Sequence, residues 1–181
     1  MAGFTVWLTG LSGSGKTTIA VALRRTLIAY GHRVELLDGD DIRRTLRQDL
    51  GFSKEHRGLN IRRIGFVARV LARNNVVVIV SAISPYRALR KEVRAAHATD
   101  HSPFIEVFVD CPLSVVEARD VKGLYAKALH GDLPQFTGVS DPYEPPDGPE
   151  IHVQTHHETV EESVTRIRQT LMELPAWGSE C

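Results

Sequence analysis

The chain has 181 residues, of which 43 % are hydrophobic and 24 % charged, with 22 Lys plus Arg balanced by 22 Asp plus Glu. This is the scale of one domain with enough apolar material for a core, and it excludes a disordered tail, a collagen-like fibre or a low-complexity linker. A formal net charge of zero gives no global field for duplex nucleic acid, the apolar run around Val76 to Val80 is far too short for a bilayer, and Cys111 and Cys181 make no disulfide framework. The N-terminal residues lack a basic segment, an apolar stretch and a cleavage site, so a cytoplasmic protein with neither nucleic-acid nor membrane partners is expected.

The first predicted element is a β-rich run from Phe4 to Thr9. It meets a glycine cluster, after which Thr17 to Tyr30 has helical spacing through Ile19, Leu23 and Leu27. Between strand and helix, Gly10 to Thr17 reads G-L-S-G-S-G-K-T, a full match to the phosphate loop G-x-x-x-x-G-K-[ST]. Gly13 and Gly15 allow backbone conformations that turn successive N–H groups onto phosphate oxygens, and the following helix adds its positive end. Lys16 would neutralise the β- and γ-phosphates, and the Thr17 hydroxyl would ligate Mg2+. A dinucleotide fingerprint starting at Gly13 fails at its sixth position, Thr18. The candidate ATP site is therefore Gly10, Leu11, Ser12, Gly13, Ser14, Gly15, Lys16, Thr17 and Thr18.

Arg33 to Leu37 is a second strand, closed by Asp38-Gly39-Asp40. A polar helical stretch follows, then a longer helix through Ile61, Ile64, Val67, Ala68 and Leu71. Val76 to Val80 is continuous and β-branched, as in a parallel strand covered on both faces, and Ser84-Pro85 restarts a helix to about Ala98. Ile105 to Val109 is a fourth strand. Arg119 to Pro149 is polar and broken by Gly123, Gly131 and Gly138, which predicts a mobile flap. Ile151 to Gln154 is a fifth strand, and Val160 to Leu174 a closing helix. The pattern predicts an α/β fold: a P-loop NTPase-type parallel β-sheet of about five strands, helices on both faces and a lid over about 119–149, in a single domain spanning 1–181. Ligands in such sheets bind beyond the carboxyl ends of the strands, so the glycine loop, Asp38 and Asp40, Ser81 and Ser84, and Asp110 should converge on one crevice.

The acceptor of the phosphate must be read from that crevice. Carboxylates at Asp38 and Asp40 face the loop, where one could take a hydroxyl proton and another hold the metal's water shell, although Asp40 or Asp41 could equally cap a helix. Arg43 to Arg73 carries nine basic residues against two acidic ones, a patch for a small anion or a solvated helix face. Within it, Arg57 offers a planar donor fork for phosphate or sulfate, Asn60 lies three residues on, and Phe52 could stack on a purine. Asp120 to Gly123 matches the D-x-x-G of nucleotide switches, but no N-K-x-D guanine reader accompanies it. The eight histidines show no zinc pattern.

These segments together resemble the adenylylsulfate kinase (APS kinase) family. The likeness covers T-V-W-L-T-G-L-S-G-S-G-K-T, L-D-G-D-D-I-R, L-G-F-S through N-I-R-R-I-G, I-S-P-Y-R, E-V-F-V-D-C-P-L, E-A-R-D-V-K-G-L-Y, F-T-G and D-P-Y-E-P-P, from about Gly3 to His152. The resemblance implies ATP-dependent phosphorylation of the ribose 3'-hydroxyl of adenosine 5'-phosphosulfate (APS) by a homodimer. It places Asp38, Gly39, Asp40, Asp41, Phe52, Arg57, Asn60, Ile83, Ser84, Lys122 and Phe136 around APS, with Phe52 and Phe136 clamping the adenine. Arg119, at the start of the flap, is a further candidate for the triphosphate. Lys16, Asp38, Asp40 and Ser84 are the catalytic candidates. Similar enzymes have a phosphoserine at the position of Ser84, but no neighbouring base would activate it here, so direct transfer is expected, with Ser84 bonding substrate or capping the helix at Pro85. The chain departs from the family at Asp41, His56 and Phe66, without touching Lys16 or the paired aspartates. Rival readings are another small-molecule kinase of this fold, acting on gluconate, shikimate or a nucleoside monophosphate, and a regulatory nucleotide-binding domain without transfer.

Overall fold

The structure, a computed structural model, describes residues 2–45 and 53–173. Five strands, β1 (Thr5–Thr9), β2 (Val34–Asp38), β3 (Val77–Ser81), β4 (Phe104–Asp110) and β5 (Ile151–Gln154), form one parallel sheet in the order β2-β3-β1-β4-β5. Helix α1 (Lys16–Ala29) joins β1 to β2, α2 (Gly39–Thr45) and α3 (Lys54–Ala72) lie between β2 and β3, and α4 (Arg87–Thr99) leads to β4. Two short helices, α5 (Leu113–Arg119) and α6 (Leu124–Leu129), precede β5, and α7 (Val160–Glu173) follows it.

Strand side chains alternate between faces, and here both faces are covered, so the central strands read as unbroken apolar runs. On one face Val6, Leu8, Val77 and Ile79 pack with Leu23 and Leu27 of α1 and Ile167 and Leu171 of α7. On the other, Trp7, Val78 and Val80 pack with Ile61, Ile64 and Ala68 of α3 and Val93 of α4. The chain runs from β1 to edge strand β2, returns through β3 and then continues to β4 on the other side of β1. That reversal opens a crevice at the carboxyl end of β1, where the glycine loop leaves the sheet.

Three sequence expectations are revised. Helix α4 begins at Arg87, two residues after Pro85, and Ser84 does not cap it; the Arg87 amide instead donates to Glu144 Oε2 at 2.7 Å. Three arginines of the basic stretch form an inter-helix lattice: Arg62 pairs with Glu92 at 2.6 Å, and Arg69 and Arg73 both reach Asp100. The 119–149 segment is not a uniformly polar layer. It contains α6, whose Tyr125 is buried with Cys111 and Val116 in a third apolar cluster. The Asp120 carboxylate accepts from the Tyr125 and Ala126 amides at 3.0 Å, which lowers its pKa and ties its D-x-x-G position to the first turn of α6. Phe66 lies on the outer side of α3 and is 60 % exposed.

Candidate active site

Gly13 and Gly15 take φ of 75° and 95°, the left-handed region that side chains avoid, and this curls residues 10–15 into a nest before α1. The helix opens with Gly15 as N-cap, no side chain capping it and no acid in its first turn, so its positive end faces the nest uncompensated. Lys16 is buried and folds back over the loop, donating through Nζ to the carbonyls of Gly10 (2.9 Å) and Leu11 (2.6 Å) and to Ser14 Oγ (3.5 Å).

Burial pulls the Lys16 ammonium from its ordinary 10.5 down to about 7; Asp40 and Asp38 push it back up and Lys122 pushes it down. A phosphate chain beside Nζ favours the charged form, so binding should take up a proton wherever the free protein has lost it. Affinity for a non-hydrolysable ATP analogue is therefore expected to be flat below about pH 7 and to weaken by up to about tenfold per pH unit above it. Calorimetry at pH 8.5 in two buffers of different ionisation heat should detect uptake of about one proton. A pH-independent affinity with no uptake would remove Lys16 from the phosphate site.

Strand pairing brings the β2 and β3 ends up to this loop, with Asp38 opposite Ser81. Thr17 Oγ1 donates to Asp38 Oδ2 at 2.9 Å and lies 3.2 Å from Ser81 Oγ. The other Asp38 oxygen, Oδ1, accepts the Asp40 amide at 2.9 Å, so at the start of α2 the backbone amide is held by Asp38, not by Asp40 or Asp41. Asp40 reaches across the crevice to Lys122, with Nζ to Oδ2 at 2.5 Å.

A cavity of about 310 Å3 continues from the loop. Ser12, Gly13, Gly15, Lys16, Thr17 and Thr18 line one side, Gly39 and Asp40 another, Arg57 and Asn60 the α3 wall, and Ile83 and Ser84 the floor beyond β3. Lys122 and Phe136 approach from the 119–149 segment. Asn60 is 9 % exposed, and its side-chain carbonyl oxygen has no hydrogen-bond partner among the described residues. A buried acceptor in that condition is costly unless a ligand donor meets it. Phe136 packs edge-on against Tyr125, ring centroids 5.0 Å apart, which fixes its plane at the cavity wall.

Ser84 is fully buried with a positive φ of 41°, strained for a residue preceding proline. Its Oγ accepts from Trp7 Nε1 at 3.0 Å and donates to the Ala82 carbonyl at 3.3 Å. The neighbouring carbonyls are gripped as well: Thr9 Oγ1 donates to Ile83 O at 2.8 Å and the Arg90 guanidinium to Ser84 O at 2.6 Å. The turn is thus rigid, and the serine hydroxyl is engaged by an indole and a peptide carbonyl.

Several predicted residues lie elsewhere. Gly10, Leu11 and Ser14 hold Lys16 and do not line the cavity. Asp41 is exposed on α2, outside the lining. Arg119 sits behind the loop, donating to the Thr155 carbonyl at 3.0 Å while Thr155 Oγ1 donates to Ser14 O at 2.9 Å. Asp110 does not join the crevice; its carboxylate meets His152 Nε2 at 3.0 Å, because β4 ends one strand further along. Phe52 lies outside the described residues. Ser81 lines the cavity as expected, whereas Ile61 and Thr137, which also line it, were missed from the sequence. Thr137 is the centre of the F-T-G motif, and that was its available signal.

A phosphate loop on the central strand, with lysine and threonine in place and a second wall carrying arginine, asparagine and aromatic groups, defines a P-loop kinase with a small-molecule acceptor. A sequence profile of the adenylylsulphate kinase family matches residues 2–154. The chain belongs to the adenylylsulfate kinase family. It is 59 % identical over 172 residues to an adenylyl-sulfate kinase of Rippkaea orientalis, covering 95 % of this chain and 93 % of that one. Among solved structures it resembles the Mycobacterium tuberculosis APS kinase CysC in complex with AMPPNP and APS, at TM-score 0.90 and 42 % identity over 94 % of this chain and 98 % of that one. It also resembles a hexameric APS kinase from Thiobacillus denitrificans, at TM-score 0.73 and 37 % identity over 97 % of this chain and 30 % of that one.

Proposed function

We propose that the chain transfers the γ-phosphoryl group of ATP to the ribose 3'-hydroxyl of adenosine 5'-phosphosulfate, giving 3'-phosphoadenylyl sulfate (PAPS) and ADP in sulfate assimilation. The observation that carries this reading is a single cavity joining the Lys16 loop to Arg57, Asn60 and Phe136. Loop amides and Lys16 hold the β- and γ-phosphoryl oxygens and stabilise charge spreading over them as the bond to the leaving oxygen breaks. Arg119 supports the donor from behind the loop.

On the acceptor side Arg57 takes the sulfate or phosphate oxygens, and the orphan Asn60 oxygen accepts a donor from the nucleoside. Gly39 and Ile83 border the acceptor, and Lys122 and Phe136 close over it as part of a lid spanning 119–149. Asp38 directs or takes the proton of the 3'-hydroxyl as its oxygen attacks phosphorus, with Asp40 as the second carboxylate. Ser84 shapes the acceptor floor, and transfer is direct, because its hydroxyl has an indole and a carbonyl as partners instead of a base.

The metal fit is consistent with this chemistry. Thr17, Asp38 and Ser81 present an all-oxygen group, and among the described residues no three His, Cys, Asp or Glu side chains gather into a cage. That set suits Mg2+, which keeps water and phosphate oxygens as its other ligands. When bound, Mg2+ neutralises phosphoryl charge. A pair of copies is what the family resemblance implies, and a cytoplasmic location suits two cysteines without a disulfide framework; among the described residues no helix is long and apolar enough to cross a membrane.

Incubation with MgATP and APS should yield PAPS and ADP in equal amounts, whereas gluconate, shikimate or a nucleoside monophosphate in place of APS should yield no phosphorylated acceptor. ATP binding without APS-dependent ADP release would favour a regulatory domain instead. Phe136→Ala should raise KM for APS by roughly tenfold, the scale of one lost stacking contact, with a smaller change in kcat. An unchanged KM would take Phe136 out of the acceptor site.

A further inference from the structure

The D-P-Y-E-P-P segment carries none of the functional residues named so far, yet its first residue reaches the acceptor wall. Asp141 Oδ2 accepts from Arg57 NH1 at 2.8 Å and from the Tyr86 hydroxyl at 2.7 Å. The same Arg57 nitrogen donates to Thr137 Oγ1 at 2.5 Å. The Arg57 and Asp141 side chains are only 10 % and 19 % exposed, so solvent screens the pair weakly. The backbone of Asp141 also closes the turn that presents Phe136 and Thr137: its amide donates to Phe136 O at 3.1 Å, and its carbonyl accepts from Gly138 N at 2.7 Å.

We propose that Asp141 is a positioning residue for the acceptor, acting through Arg57. An arginine has several rotatable bonds, and recognising an oxyanion through its planar fork requires them to be fixed. Asp141 and Thr137 anchor one end of that fork from the lid segment, so the guanidinium is aimed into the cavity before an anion arrives. Tyr86, at the start of α4, holds the carboxylate from its other side. This inference rests on Arg57 contacting the acceptor, as the proposed function has it. The backbone bonds of residues 136–141 do not depend on the side chain of residue 141, so Asp141→Asn tests the carboxylate with the turn kept.

The test is a double-mutant cycle of Arg57→Ala and Asp141→Asn, reading KM for APS, KM for ATP and kcat. Asp141→Asn alone is expected to raise KM for APS by about tenfold, with KM for ATP and kcat within about twofold. In the Arg57→Ala background the same change should add less than about twofold, because the group it positions is gone. Asp141→Glu, which keeps the charge but displaces it, should give a smaller rise of the same sign, and it carries the cycle if the asparagine protein does not fold. Additive effects, or equal losses in both substrates' KM and in kcat, would overturn the proposal by making Asp141 merely structural. An Arg57→Ala protein with unaltered KM for APS would overturn it from the other side. A parent protein that makes no PAPS would remove the underlying reading, and the positioning role with it.

Discussion

Lys16→Ala is expected to lower turnover by roughly 10^3-fold or more while leaving the fold intact. Among the described residues Nζ is the side-chain cation that folds over the phosphate nest, and the three oxygens it touches all belong to the loop itself, at Gly10, Leu11 and Ser14. Charge that spreads over the transferred phosphoryl group would then lose its lysine and keep only the amide dipoles and whatever metal is bound. Stability should not suffer, because burial already disfavours the ammonium. The sign follows from linkage: a folded pKa near 7, below the unfolded 10.5, means the native state loses stability as pH falls through that window. Alanine removes this term, so its unfolding midpoint should equal or exceed that of the parent at pH 6. Single-turnover PAPS formation and thermal melts check both parts; turnover within tenfold of the parent would contradict the role of Lys16.

Asp38→Asn should reduce kcat by roughly 10^2-fold, with KM for APS changed by less than about threefold. Both carboxylate oxygens are engaged, one by Thr17 Oγ1 and the other by the Asp40 amide, so the change strikes the point where the end of the phosphate loop meets the start of α2. Asparagine keeps the size and one acceptor oxygen but has neither the charge nor the basicity to receive a hydroxyl proton. Asp38 also helps hold the Lys16 ammonium up, so the variant should bind ATP more weakly above pH 7 and need more Mg2+ for half-maximal rate. Steady-state kinetics across Mg2+ concentrations tests this. A kcat near the parent value would leave Asp40 as the working carboxylate.

Much of the site is legible because it is local. The loop from Gly10 to Thr17 needs only a strand before it, a helix after it and glycines where φ is positive, and all three are written within 25 residues. Arg57 and Asn60 sit one turn apart on a helix that the apolar spacing already marks, and they share a wall of the cavity as that spacing implies. The reading fails where an end-of-strand residue is assumed to face the common crevice. Asp110 does not, because β4 pairs onward with β5 and its terminal carboxylate turns to His152. At Ser84 only the capping alternative fails: the residue lines the cavity, but its hydroxyl is turned toward an indole from β1.

By itself, the sequence determined the alternating α/β architecture, the phosphate loop and the kinase chemistry that goes with it, because these depend on residue spacing over one or two elements. Only the tertiary structure decided which carboxylate holds Thr17, which residue caps α4 and what anchors Arg57, since the partners are 21, 57 and 84 positions apart. Such pairings depend on the order of strands in the sheet and on the path of the chain across it. Periodicity records which face of an element is buried, but not which distant side chain will meet it there.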